Sequence, residues 1–373
     1  MERIGILKER ADRRVVVLSP AGVERLSGKA TVFVQRDAGR AAGFTNEAFV
    51  AAGAQVMDRE EEVITGANVL VSYDHHHLGG PLNGDKTFIG IFNFLSVPSE
   101  LDLYQHQGVT AYSLDLMPRT TLAQAMDVLS SVGSISGYQA VLLAAERSLA
   151  TVPMIISAGG TLRPANFLIM GAGVAGLQAI ATARRLGAVV KAYDVRSTSK
   201  EEVESLGAEF IEVEGAVNDR SAGGYAVQQS EAFLQQVRER IASEAAKADV
   251  IITTARIPGR KAPTLITEDM VMGMKPGAVI VDLAAASGGN CTLTQPDCTV
   301  MRNEVAIFGP TSIECSCAHS TSFLLSNNYS AFIEHYLAHR EKADEDEILR
   351  STLVVQNGEL VNERVRALTA ATI

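Results

Sequence analysis

Short apolar runs rich in β-branched and aromatic residues alternate along this chain with stretches of helical length and helical composition. In the first third, Arg3–Leu7, Thr31–Val34, Asn68–Val71, Thr87–Ile91 and Thr110–Leu114 are such runs. Near-continuous rather than alternating hydrophobicity predicts strands covered on both faces, as in a parallel sheet between helix layers. Ser19 ahead of Pro20 predicts a short helix over 20–26, with serine as the cap and proline in the first helical position. A second series follows at Phe167–Met170, Val189–Tyr193, Val250–Thr254, Ala278–Asp282 and Val305–Phe308. The stretch Leu122–Ala150, rich in Ala, Leu and Met, predicts a long helix between the two series, with a break or kink near Gly133 and Gly137. From about Ser322 the pattern returns to helix.

Strands alternating with helices define an α/β chain, and 373 residues exceed one ordinary core. The expected architecture is two Rossmann-like domains with parallel sheets and a cleft between them. The first is discontinuous, residues 1–130 plus 323–373, and the second is residues 131–322.

Charge narrows the function. A net charge of −10 and a pI near 5.3, without a Lys/Arg block, argue against nucleic acid and anionic membrane surfaces as partners. Four cysteines and no leader-like pattern at the Met1 end fit a reducing cytosol. Phe167–Ala183 carries no formal charge, but three glycines and Gln178 interrupt it. A strand, a tight turn and a buried helix explain it better than a membrane span, so no direct membrane insertion is expected.

That uncharged stretch holds the clearest chemical signal. Strand Phe167–Met170 runs into Gly171-Ala172-Gly173-Val174-Ala175-Gly176, and a helix is expected from Val174 to Leu186, ending at Gly187. In this context the first glycine permits the turn and the second lets the backbone approach a pyrophosphate. The third, Gly176, permits close helix–strand packing. The free amides and the dipole of the helix start would face the phosphates. Asp194, flanked by Val195 and Arg196, ends the next strand 18 residues beyond Gly176. A carboxylate there accepts the ribose hydroxyls and repels a 2′-phosphate, which favours NAD over NADP; Arg196 pulls the other way. The competing reading is a glycine-rich strand–helix corner with no ligand, and the strand–turn–helix context favours the dinucleotide.

From about Asp115 to Asn290 the chain resembles the alpha subunit, domain I, of proton-translocating NAD(P) transhydrogenase, a relative of alanine dehydrogenase. The matching segments include Met117–Ser131, Gly173–Ala183, Ala222–Ala226, Ile257–Gly259, Ala262-Pro263 and Leu265–Thr267. Leu7–Glu9 and Gly358–Val361 look like the family's ends. The resemblance implies a Re/Si-specific, proton-translocating NAD(P)+ transhydrogenase component, active only with partner subunits. It would bind NAD(H) and exchange hydride directly with NADP(H) held on a partner subunit, with membrane-embedded partners coupling the exchange to proton movement. It also implies a homodimer, through an exchanged hairpin within 154–170, and a cytoplasmic location at the inner membrane through those partners. By resemblance Arg119 and Asp127 pair near the nicotinamide, Ser130 bonds its carboxamide, and Gln124 reaches toward the NADP ribose. Tyr225, after Gly223-Gly224, would tip a loop that closes over the nucleotide. Read from spacing alone, Arg119, Gln124, Asp127 and Ser130 equally fit a polar cap at a helix start.

Two segments depart from the family pattern. Ser72-Tyr73-Asp74-His75-His76-His77 stands where the family usually has a lysine, and Gly309–Ser320 carries Glu314 where a proline is usual. Phe92–Leu95 replaces the histidine of alanine dehydrogenases, and Ala286 replaces their acid. Free-standing turnover of an amino acid is therefore the weaker alternative. A non-catalytic NAD-binding module is another, motivated by the altered 309–320 loop. Cys315, Cys317 and His319 do not form a zinc spacing, Cys291 and Cys298 read as ordinary thiols, and no metal is expected.

Overall fold

The strand runs pair in two sheets and one hairpin within a computed structural model that describes residues 1–74, 85–213 and 231–372. In the first sheet lie β1 (Glu2–Ile6), β2 (Ala30–Gln35), β3 (Gln55–Met57), β4 (Val69–Val71), β5 (Thr87–Gly90) and β6 (Thr110–Ser113). The hairpin is β7 (Ile155–Ser157) and β8 (Gly160–Leu162). The second sheet contains β9 (Asn166–Met170), β10 (Val189–Tyr193), β11 (Glu209–Phe210), β12 (Val250–Thr253), β13 (Val279–Asp282), β14 (Thr299–Arg302) and β15 (Val305–Phe308). The chain then returns to the first sheet with β16 (Leu353–Gln356) and β17 (Glu359–Leu360).

The orders are β17-β16-β6-β5-β4-β1-β2-β3 and β11-β10-β9-β12-β13-β15-β14. Both sheets are mostly parallel, with antiparallel edges at β14, β16 and β17. Those edges depart from the all-parallel expectation, and tight turns explain two of them. Asn303 and Glu304 both adopt positive φ between β14 and β15, as do Asn357 and Gly358 between β16 and β17. Two successive left-handed residues match the twist of an antiparallel hairpin.

Two compact units result, residues 1–132 with 314–373, and residues 133–313. The second unit closes at Ile313, ahead of the 322 read from sequence, because Cys315 and Ala318 are buried in the core of the first unit. The following helix, Ala318–His339, starts four residues before the expected Ser322. Ser19 caps helix Pro20–Leu26, its side chain accepting from the Gly22 amide.

The long helix corrects one expectation. It runs unbroken from Val128 to Arg147, and the interruption falls at Asp127, after a 3-10 turn over Leu122–Met126. Gly133 and Gly137 are not kinks. A Cβ on Gly137 would overlap the Ala175 carbonyl oxygen, so the glycine is a packing necessity where this helix meets the start of helix Val174–Arg185. Among the described residues this helix alone is long and apolar enough to cross a membrane. Ala140, Val141 and Ala144 on it are instead fully buried in the core of the second unit.

Candidate nucleotide-binding site

Five residues of β9 end in a turn that only glycine can make. Gly171 has φ +106°, and a Cβ there would sit 2.5 Å from Thr254 Oγ1. Its amide donates to the Tyr193 carbonyl at 2.8 Å, holding the turn against β10. Gly176 lies so close under the turn that a Cβ would overlap the Gly171 carbonyl oxygen. Gly173 differs from both. It is extended, it opens helix Val174–Arg185 with no side-chain cap, and no atom lies within 4 Å of where its Cβ would be. Uncapped first-turn amides beside open space form a cradle suited to a pyrophosphate. Gly173 and Val174 are exposed and Ala175 is half-buried, whereas Ala172 and Gly176 belong to the interior.

The acid is wired into this turn. Asp194 Oδ2 accepts from the Ala172 amide at 2.8 Å and from Arg196 Nη2 at 2.9 Å. Its Oδ1 accepts from the Arg196 amide at 2.8 Å and from Arg196 Nε at 2.9 Å. Burial of this side chain opposes ionisation. The Arg196 guanidinium and the two amides outweigh that cost and hold the carboxyl below the usual carboxylate range. Val195 is half-buried and packs against the apolar cluster that includes Met170, Tyr193 and Ile211.

Sequence reasoning missed a supporting layer. Thr254 Oγ1 donates toward the carbonyls of Met170 and Gly171, at 3.3 and 3.2 Å, buttressing the turn from β12. Asn290, fully buried, donates to the carbonyls of Ala255 and Pro263 and accepts from the Ala255 amide. Asp282, also fully buried, accepts from Thr253, Thr294 and the amides of Ala284, Asn290 and Cys291. Together these groups fix the loops that follow β12 and β13. A Thr, an Asn or an Asp beyond an apolar strand carries no distinctive sequence signal.

The polar loop lies in the first unit. Asp127 immediately precedes helix Val128–Arg147; the Ser130 amide donates to its Oδ1 at 3.0 Å and the Ser130 hydroxyl to its Oδ2 at 2.6 Å. Asp127 and Ser130 therefore meet as a helix cap. Arg119 and Gln124 are exposed. The 119–126 segment that carries them is anchored by buried Ala123 and Met126, and Asn328 donates to the Ala125 carbonyl at 2.9 Å. Tyr225 and His75–His77 fall outside the described residues.

The two departing segments touch each other. Tyr73, buried, donates its hydroxyl to Glu314 Oε1 at 2.7 Å, and its amide donates to Glu9 Oε1 at 2.6 Å. Burial and Glu314 push the Tyr73 hydroxyl well above its ordinary range, and push the Cys315 thiol up to about 12. Cys315 is therefore protonated and unreactive at neutral pH. His319 Nδ1 lies 2.9 Å from the Ala42 carbonyl and its ring packs on Phe44.

A parallel sheet carrying a glycine turn, an uncapped helix start and an acid at the end of the neighbouring strand defines the class, a dinucleotide-binding α/β protein. Comparison with known proteins narrows this. Residues 5–136 match the family described as alanine dehydrogenase/PNT, N-terminal domain, and residues 140–363 its C-terminal domain. The chain belongs to the alanine dehydrogenase/PNT family, on the branch of the NAD(P) transhydrogenase alpha subunits. It is 39% identical over 385 residues to the first part of NAD(P) transhydrogenase subunit alpha from Rhodospirillum rubrum, covering 96% of this chain and 98% of that protein. The counterpart from Rickettsia prowazekii is 34% identical over 374 residues, covering 98% and 97%. Among solved structures, a transhydrogenase from Sinorhizobium meliloti superposes with a TM-score of 0.82 at 34% identity, over 97% of this chain and 99% of that one.

Proposed function

We propose that this chain is the NAD(H)-binding component of a proton-translocating transhydrogenase, handing hydride between its own nucleotide and NADP(H) held on a partner subunit. The observation that carries the reading is Asp194, held ionised against the glycine turn by the Ala172 amide and Arg196. An acid fixed at this distance from a phosphate cradle is the arrangement that selects a dinucleotide's ribose. Likeness over nearly the whole chain to transhydrogenase alpha subunits supplies the reaction class.

The nicotinamide supplies the hydride chemistry, and direct transfer between two such rings needs no proton donor or acceptor. The chain's own task is to bind, orient and exclude water. Gly173, Val174 and Ala175 would take the pyrophosphate, and Asp194 the ribose hydroxyls, with Arg196 holding the acid in place. Asp127 would fix the Ser130 hydroxyl for the carboxamide. Arg119 and Gln124, exposed on the anchored 119–126 segment, would meet the nicotinamide and the partner's nucleotide, and Tyr225 would close over the site. A dimer of this chain would dock peripherally, at the cytoplasmic face of the inner membrane, on subunits that bind NADP(H) and span the bilayer.

Two measurements test this. In a transfer assay reconstituted with the NADP(H)-binding and membrane subunits of a transhydrogenase, the wild-type chain restores turnover and Arg119→Ala lowers it at least tenfold with NADH affinity nearly unchanged. Absence of turnover with the wild type, or equal loss of both quantities in the variant, would contradict the assignment. For the dimer, β7 and β8 present Ile155, Ile156 and Leu162 to solvent, with Ile156 75% exposed. An exposed apolar hairpin of this kind supports docking on a second copy. Sedimentation at micromolar concentration should give a dimer for the wild type and a monomer for Ile156→Asp; a monomeric wild type overturns the dimer.

A further inference from the structure

The far end of helix Ala318–His339 carries His335 and His339, one turn apart and hence on one face. Asp346 lies across the short 340–345 connection, where it caps helix Glu347–Thr352 by accepting from the Leu349 amide at 2.9 Å. His335 Nε2 lies 3.0 and 2.9 Å from the two Asp346 oxygens. The His335 and His339 rings stack with centroids 4.3 Å apart. One donor atom from each of the three side chains lies within 4.8 Å of the other two, and among the described residues no other trio of His, Cys, Asp or Glu converges so closely.

We propose that His335, His339 and Asp346 bind one divalent transition-metal cation of the zinc type. Two imidazoles and a carboxylate are a donor set suited to Zn²⁺, with Co²⁺ and Ni²⁺ as substitutes, and three protein ligands leave a position for water. Hydrogen bonds to the backbone set the His339 tautomer and hold Asp346 before any ion arrives. His339 Nδ1 lies 2.9 Å from the His335 carbonyl oxygen. A carbonyl only accepts, so the neutral ring carries its proton on Nδ1 and keeps the Nε2 lone pair for a ligand. A backbone carbonyl holding the second nitrogen is how metal-binding imidazoles are commonly fixed. Asp346 is fixed in its turn by the Leu349 amide.

Two of the three donors already stand close to the spacing an ion requires. Bonds of about 2.0–2.2 Å at tetrahedral angles put donor atoms roughly 3.3 Å apart. His335 and Asp346 need to open by only a few tenths of an ångström, whereas His339, stacked on the His335 ring with its donor atom within 4.8 Å of the others, has to swing its exposed ring toward them. The His335 side chain is 8% exposed and that of Asp346 17%, whereas His339 is open to solvent, which gives an ion a way in. Arg340, the residue after His339, is tied to Glu2 and lies over the Tyr336 ring. A bound ion would clip the end of the long helix to the start of the next.

The test uses the untagged full-length chain, freed of metal by chelation, in a background with His75, His76 and His77 each replaced by alanine so that this run contributes nothing. Titration with Zn²⁺ should show one ion per chain and a raised melting temperature. Co²⁺ should give the visible absorption of a four- or five-coordinate site. His339→Ala removes an exposed ligand, and Asp346→Asn keeps an acceptor for the Leu349 amide while removing the charge. Each should weaken binding at least about tenfold, with the metal-free melting temperature little changed. Failure to take up Zn²⁺ at micromolar concentration, or uptake undiminished in either variant, overturns the site.

Discussion

Gly176→Ala should abolish NADH binding, weakening it more than a hundredfold, and should lower the melting temperature as well. The new methyl would overlap the Gly171 carbonyl oxygen and stand 3.3 Å from Thr254 Oγ1. The first obstacle is backbone, which cannot swing aside as the end of a side chain can. Relief requires pushing helix Val174–Arg185 away from β9, and overpacking of this kind costs about 1–3 kcal/mol or more. The same displacement takes the first-turn amides out of the phosphate position. Gly173→Ala provides the contrast, because its methyl meets nothing in the protein. It should leave the melting temperature unchanged yet lower affinity, since the methyl stands where the pyrophosphate backbone would approach. Titration calorimetry paired with thermal unfolding separates the two. NADH affinity unaltered in Gly173→Ala would move the phosphates elsewhere.

Asp194→Ala should weaken NADH binding by about tenfold to a hundredfold, the equivalent of losing charge-assisted hydrogen bonds of about 1.5–3 kcal/mol. It should also narrow the preference for NADH over NADPH. The substitution removes the repulsion toward a 2′-phosphate and the two hydrogen bonds that the Arg196 guanidinium gives this carboxylate. Titration of the variant with both nucleotides measures this, and unchanged affinity for NADH would remove Asp194 from the site. The acid also sets a pH dependence. Its folded-state pKa is depressed. Its contribution to stability is therefore fully present above the unfolded value of about 3.9 and is lost as pH falls through the lower folded value. The turn should loosen only in strong acid, and neutral-range changes in binding should not originate here.

Much of this was legible in the residues. Phe167–Met170, Gly171–Gly176 and Asp194 combine an apolar run, three glycines and an acid at one fixed spacing, and each has its own steric or electrostatic reason. Val189–Tyr193 and Val305–Phe308 are strands over the very residues read from their hydrophobicity. Elements without such redundancy were missed. β3 is three residues long and half exposed, so no apolar run marks it. β14 turns into β15 through Asn303-Glu304, where neither residue is the glycine that advertises a tight turn. Asn357-Gly358 does carry that signal and lies at just such a turn. Gly133 and Gly137 misled for a different reason. Glycine in a helix can mean a kink or a close neighbour, and Ala175, the neighbour that decides, is 38 residues away from Gly137. The contact between Tyr73 and Glu314 is likewise invisible in sequence, because 241 positions separate the two.

The central claim is that the Gly171–Asp194 corner holds NAD(H) in preference to NADP(H). Titration of the purified wild-type chain with NADH and, separately, with NADPH tests it most directly. The account predicts that NADH binds at one site per chain and that NADPH binds at least tenfold more weakly. Equal affinity for the two, or binding of neither, would contradict it.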